Sequence, residues 1–168
     1  MVNLGEFMKI GLISDTHITQ KRGKLSQNVL KAFKDADLII HAGDITQVKV
    51  LDELQKIAPV IAVSGNNDKL NLNKTEIIKI ENFKVVINHA TTYSNDFEKL
   101  KKFASKNNAD ILVTGHTHKP HCEIIDDILF INPGSSNRPV KSDASVAVLN
   151  IEEKHKTVSD VEVIFIRI

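Results

Sequence analysis

Three times in the first 70 residues a short apolar run stops at a cluster of Asp, His or Asn side chains. Residues 10–14 (Ile-Gly-Leu-Ile-Ser) end at Asp15-Thr16-His17. Residues 38–40 end at His41-Ala42-Gly43-Asp44, and residues 60–63 at Ser64-Gly65-Asn66-Asn67-Asp68. Continuous runs of this length read as strands buried on both faces. Between them, Leu25, Val29, Leu30 and Phe33 recur at helical spacing and close on Lys34 and Asp35. A second helical face follows in Val50, Leu51, Leu54 and Ile57, with Thr46 as its expected N-cap and Pro59 as its stop. Strand, helix, strand, helix, strand is a βαβαβ unit. Its parallel strands present their carboxyl ends along one edge, which is where open α/β sheets bind ligands.

The periodicity then changes. Residues 76–80 and 83–87 flank Glu81-Asn82 and predict a hairpin whose second strand runs into Asn88-His89. Asn95 is placed to cap a helix through about Asn107. Phe97, Leu100 and Phe103 should face inward there, and Lys99, Lys101, Lys102 and Lys106 should form a solvated face. Residues 111–113 feed Gly115-His116-Thr117-His118. Four β-like segments follow, at 122–125, 128–131, 145–151 and 158–168, with Asn132-Pro-Gly-Ser135 as the clearest turn. The economical architecture is α/β: two sheets packed face to face with helices outside, the second sheet largely antiparallel.

Composition narrows the function classes. With 168 residues, 42% hydrophobic and 26% charged, the chain is sized for one well-buried core, so residues 8–168 read as a single domain and 1–7 as a loose extension. A net charge of +1 and a 5% aromatic content argue against a nucleic-acid surface, which wants a basic groove with stacking platforms. Cys122 is the single cysteine, so no intramolecular disulfide can form. No apolar run approaches the ~20 residues of a membrane span, and the start lacks the basic and apolar regions of a signal peptide. The expected location is cytoplasmic.

The strand-end residues, collected, are Asp15, His17, Asp44, Asn66, His89, His116 and His118. Mixed carboxylate and imidazole donors suit manganese, iron, zinc or nickel, whereas calcium and magnesium prefer oxygen alone. Seven donors exceed the needs of one ion, so two divalent transition-metal ions are the better count, manganese first among them. Paired ions share a bridging carboxylate and a water that coordination makes available as hydroxide near neutral pH. They also neutralise non-bridging phosphoryl oxygens as charge builds. The residues therefore point to a dinuclear metal hydrolase acting on a small-molecule phosphoester.

Taken in order, Asp15-x-His17, Gly43-Asp44, Gly65-Asn66-Asn67-Asp68, His89 and Gly115-His116-Thr117-His118 resemble the calcineurin-type metallophosphoesterases. The small YfcE-type phosphodiesterases, which share the Asn-Pro-Gly-Ser turn, are the nearer match, and the resemblance covers essentially the whole chain from Met8. It implies the metallophosphatase fold, a four-layer α/β/β/α sandwich of two packed mixed sheets. It also implies a first metal on Asp15, His17, Asp44 and His118, and a second on Asp44, Asn66, His89 and His116, with Asp44 as the bridge.

Two positions depart from the pattern. Asn67 stands where the wider superfamily has a histidine near the leaving group. Asparagine can donate a hydrogen bond to phosphate but cannot pass a proton at neutral pH, so activated diesters should be favoured. Ala90 stands where a glycine usually follows the histidine. The non-catalytic small subunit of the retromer sorting complex also resembles this chain, but it departs from the motif at the bridging carboxylate. Asp44 is intact here, which favours catalysis over a metal-binding scaffold. A phosphomonoesterase or nuclease is the further alternative.

Several residues carry two readings. His41 is either a support for the ligands or a hydrogen-bonded core residue. Asp68 either orients Asn67, as a catalytic-site residue, or caps the segment after it. Lys21, Arg22, Lys24 and Arg138 either meet substrate charge or sit in solvated loops, while His121 and His155 read as surface residues. The exposed edges of a second sheet leave room for a homo-oligomer, a dimer or tetramer.

Overall fold

The computed structural model describes residues 7–19, 23–93 and 96–168. Most of the expected N-terminal extension, Lys21, Arg22 and the expected cap Asn95 lie outside the described residues. The elements, in order, are β1 (Met8–Ile13), α1 (Gln27–Ala32), β2 (Leu38–His41), α2 (Val48–Gln55), β3 (Val60–Ala62), β4 (Thr75–Ile80) and β5 (Phe83–Asn88). They continue with α3 (Phe97–Lys106), β6 (Ile111–Val113), β7 (Pro120–Ile125), β8 (Ile128–Pro133), β9 (Ser145–Ile151), a 3-10 turn (Val158–Asp160) and β10 (Glu162–Arg167).

They form two five-stranded sheets, β10-β9-β1-β2-β3 and β4-β5-β6-β8-β7. Strand alternation divides the core. Ile10 and Leu12 join Ile40, Val85, Ile87, Ile111 and Val113 between the sheets. Ile13 and Ile39 turn the other way, toward Val29 and Phe33 of the α1 segment and Val50 and Leu54 of α2. On the far side, Val86, Leu112 and Phe130 pack with Ala104 of α3. The layers are therefore helix, sheet, sheet, helix.

Register decides where the loops fall. Ile13 aligns with His41 and His41 with Ala62, all in parallel pairing, so β1, β2 and β3 end level. In the second sheet Ile87 aligns with Val113 and Val113 with Ile131, again in parallel. The polar segments after these six strands thus open at one rim.

Three expectations need correction. The second sheet is evenly mixed rather than largely antiparallel: β4–β5 and β7–β8 are antiparallel, while β5–β6 and β6–β8 are parallel. The reason is that β9 and β10 leave that sheet and add antiparallel strands beside β1. Thr46 does not cap α2; Gln47 occupies that position without a side-chain bond. The Thr46 hydroxyl instead donates to the Ile18 carbonyl at 2.7 Å. Phe97 is 37% exposed rather than inward, with its ring 5.2 Å from that of Phe130. The observed cap of α3 is Asp96, which accepts from the Lys99 N–H at 3.1 Å.

Candidate metal centre

All seven expected ligands meet at the rim where the two sheets abut. Asp15 Oδ1 lies 3.2 Å from His118 Nε2, and His17 Nε2 lies 3.3 Å from both His118 Nε2 and Asp44 Oδ2. These four side chains place their donor atoms within 4.8 Å of one another, close enough to share one ion. A second group adjoins it. Asn66 Oδ1 is 3.0 Å from His116 Nδ1 and 3.2 Å from His89 Nε2, and His89 Nε2 is 3.5 Å from Asp44 Oδ2. Asp44 belongs to both groups.

Asp15 is anchored through one oxygen and presents the other. Asp15 Oδ2 accepts from the Ser14 hydroxyl at 2.6 Å and from the His116 N–H at 3.0 Å. Asp15 Oδ1 is buried and has no hydrogen-bond partner. A buried carboxylate oxygen left unpaired is costly, and a cation bound among four donors removes that cost, so the residues fit a divalent metal. Burial alone would raise the Asp15 carboxyl, but His17 and His89 outweigh it and hold the group below its usual range. The same balance holds Asp44 low, through His89 and the two hydrogen bonds from Asn67. Burial opposes protonation of His89, yet the two carboxylates raise it in the metal-free chain.

Ring orientation is fixed from outside, as metal-binding imidazoles require. His89 Nδ1 donates to the Ala42 carbonyl at 2.7 Å, and His118 Nδ1 donates to the Arg138 carbonyl at 2.5 Å. Both rings therefore turn Nε2 into the centre.

The backbone bends sharply to deliver these groups. Asp15, His17, Asp44, His116 and His118 all have positive φ, between 41° and 71°. Residues with a Cβ adopt this region at a cost of about 1 kcal/mol or more each. Close loop contacts hold them there: the Asp15 N–H donates to the Gly43 carbonyl at 3.0 Å and the His17 N–H to the Asp44 carbonyl at 3.2 Å. At Gly115 the approach is so tight that an added Cβ would collide with Ser14 Oγ and Asp15 Oδ2.

A profile of the calcineurin-like phosphoesterase superfamily domain matches residues 8–154. The chain belongs to that superfamily. Among relatives of this phosphoesterase, a probable metallophosphoesterase of Methanocaldococcus jannaschii is 40% identical over 153 residues, covering 90% of this chain and 80% of that protein. A phosphodiesterase of the same organism is 31% identical over 166 residues, covering 88% and 95%. Among solved structures, wild-type Vps29 of Entamoeba histolytica complexed with zinc superposes with a TM-score of 0.78 at 27% identity, over 95% of this chain and 99% of that one. The family is metal-dependent, and the donor cluster is where this phosphoesterase can hold metal.

Asn67 is at the centre, but it faces Asp44: its backbone N–H donates to Oδ1 at 2.9 Å and its amide to Oδ2 at 2.7 Å. The Asp68 carboxylate bonds neither the Asn67 side chain nor the segment after it directly. It accepts from the Gly65 N–H at 2.8 Å and the Thr46 N–H at 2.7 Å, which clamps its own turn to the Asp44 loop. His41 fills both of its readings. It is fully buried, and burial holds its pKa down at about 3, so it is neutral. Its Nδ1 accepts from the Gly43 N–H at 3.2 Å while Nε2 meets the Thr16 hydroxyl at 3.2 Å, tying the two aspartate loops together.

His121 and His155 stand away from the centre, beside Glu123 and Glu152 respectively. Lys24 lines a groove between α1 and α2. Arg138 borders a depression together with His17 and Asn67. Ala90 has φ +66° and sits against the His89 end of the site.

Apart from His41, sequence reasoning did not find the supports. Asn132 donates its amide to the Gly115 carbonyl at 2.8 Å and the Thr117 hydroxyl at 3.1 Å. Ser135 Oγ donates to the Asp15 carbonyl at 2.7 Å. The Asn-Pro-Gly-Ser turn was the available signal: its polar ends brace two ligand loops from behind.

Proposed function

We propose that the chain is a phosphodiesterase with a dinuclear centre, acting on a small or activated phosphodiester. The observation that carries this reading is the position of Asp44 Oδ2, 3.3 Å from His17 Nε2 in one donor group and 3.5 Å from His89 Nε2 in the other. Asp15, His17, Asp44 and His118 would hold one ion, and Asp44, Asn66, His89 and His116 the other. Nitrogen and carboxylate donors favour manganese, with iron, nickel and zinc as alternatives. Ions bound there supply an activated water and positive charge against the phosphoryl oxygens.

The chain's own groups do the rest. Asn67 steadies Asp44, and Ser14 fixes Asp15. Ala42 and Arg138 lend carbonyls that keep His89 and His118 from turning away. Arg138 also borders the depression beside His17, so a phosphoryl oxygen entering there would meet its positive charge.

The test is to strip the protein of metal and add back manganese, nickel, zinc or magnesium singly. A bis-aryl phosphodiester and the matching monoester are then assayed, with bound metal counted. Two ions per chain and faster diester than monoester hydrolysis are expected. A chain that holds two ions and hydrolyses neither ester would overturn the reading. That outcome would favour the second one, a metal-holding scaffold, to which the likeness to zinc-bound Vps29 lends support.

A further inference from the structure

An open groove of about 760 Å³ runs from the second donor group along the start of α3. His116 and Ala90 stand at its inner end, and Tyr93, Phe97, Leu100 and Val140 line it. Phe97 and Val140 are 37% and 44% exposed, apolar surface that the packing of the fold leaves uncovered. The aromatic rings are nonetheless held in place. Phe97 contacts Phe130 at 5.2 Å and His121 at 6.2 Å between ring centroids, and Tyr93 contacts Phe103 at 5.0 Å. Fixed rings of this kind bind a flat partner with little loss of side-chain entropy.

Tyr93, Phe97, Leu100 and Val140 give the groove an apolar side. Asp96, its one carboxylate among the described residues, is already engaged by the Lys99 N–H and by the Lys99 ammonium at 3.3 Å. The groove's other ionisable groups among the described residues are Tyr93, Lys119, His121 and His116, and Lys119 is its one cation besides the histidines. A charged arm has a better place on the other flank, where Arg138 borders the depression with His17 and Asn67.

From this arrangement we infer that the groove is the subsite for a neutral aromatic ester arm of the substrate, with Tyr93 and Phe97 setting that preference. The inference rests on the metal-centred reading above, because a group that reaches His116 through the groove must be bonded to phosphorus at the centre. The substrate class is then an asymmetric phosphodiester, with an aryl or nucleobase-bearing arm along α3.

Binding of two one-armed phosphonates to the manganese-loaded chain tests this by calorimetry. Phenylphosphonate should bind about tenfold more tightly than methylphosphonate, the margin expected for burying much of one ring. Phe97→Ser should shrink that ratio toward one. Val140→Ser, on the loop after β8, should shrink it as well and serves if the α3 variant fails to fold. Equal affinities, no binding of phenylphosphonate, or a ratio that survives both substitutions overturns the subsite. Hydrolysis of the bis-aryl diester is scored separately. Preference without hydrolysis removes the enzymatic reading alone, and hydrolysis without preference removes the groove alone.

Discussion

Asn67 gives its backbone N–H and one N–H of its amide to a single carboxylate, and this limits what it can offer a leaving group. With its amide 2.7 Å from Asp44 Oδ2, it holds the shared ligand in place and has no proton to transfer at neutral pH. Asn67→His keeps the backbone N–H bond to Asp44 and restores an imidazole near the reacting bond. The variant should speed cleavage of an alkyl diester by ten-fold or more, within the roughly 10²–10⁴-fold range of general acid catalysis. An aryl diester should gain little. An unchanged alkyl rate at full metal content would remove this account of the missing histidine. Ala90 departs from the family pattern in another way. At φ +66° its Cβ is strained in a conformation glycine adopts freely. Ala90→Gly should therefore stabilise the protein, by about 0.5–1 kcal/mol in denaturant unfolding, because here strain outweighs the entropy cost of glycine.

Strand-end loops carry the chemistry, and they differ in how far the sequence discloses them. The ligands are legible because each apolar run stops where the sheet ends, leaving Asp15, Asp44, Asn66, His89 and His116 exposed to notice. The braces behind them are not. Ser135 and the Asp15 carbonyl it braces are far apart in the chain, and it takes the parallel alignment of β6 with β8 to bring Asn132 beneath the His-Thr-His loop. The mixed character of the second sheet was hidden for the same reason, since nothing local in residues 145–167 says which sheet they join. Thr46 looked like a cap because a hydroxyl before an apolar face is the usual signal, yet its hydroxyl is spent on the Ile18 carbonyl. The brace is testable. Asn132→Ala removes two hydrogen bonds to the loop between Gly115 and Thr117 and should weaken metal binding about 10–100-fold, as loss of groups that orient metal ligands does. A chelator competition with unchanged affinity would show the loop to be self-supporting.

For the molecule as a whole, the donors come from both halves. Asp15, His17, Asp44 and Asn66 follow strands of one sheet, and His89, His116 and His118 follow strands of the other. Bound ions would therefore join the sheets at the rim, in addition to the apolar layer between them. Since the unfolded chain lacks this arrangement, metal at 100 times its dissociation constant should add about 2.7 kcal/mol per site. For a chain of this size that raises Tm by about 5–10 °C per site. Calorimetric scans of stripped and reloaded protein check it, and no rise with ions bound would mean that the centre forms equally well in the unfolded chain. No described helix is long and apolar enough to cross a membrane. Among the elements, α3 supplies no donor to the centre, yet its start forms one wall of the groove beside it. On the proposed reading, the metal donors follow strands while the outer wall of the groove, at Phe97 and Leu100, lies on α3. If that reading holds, substitutions at the start of α3 can alter which ester fits while every metal-holding residue stays in place.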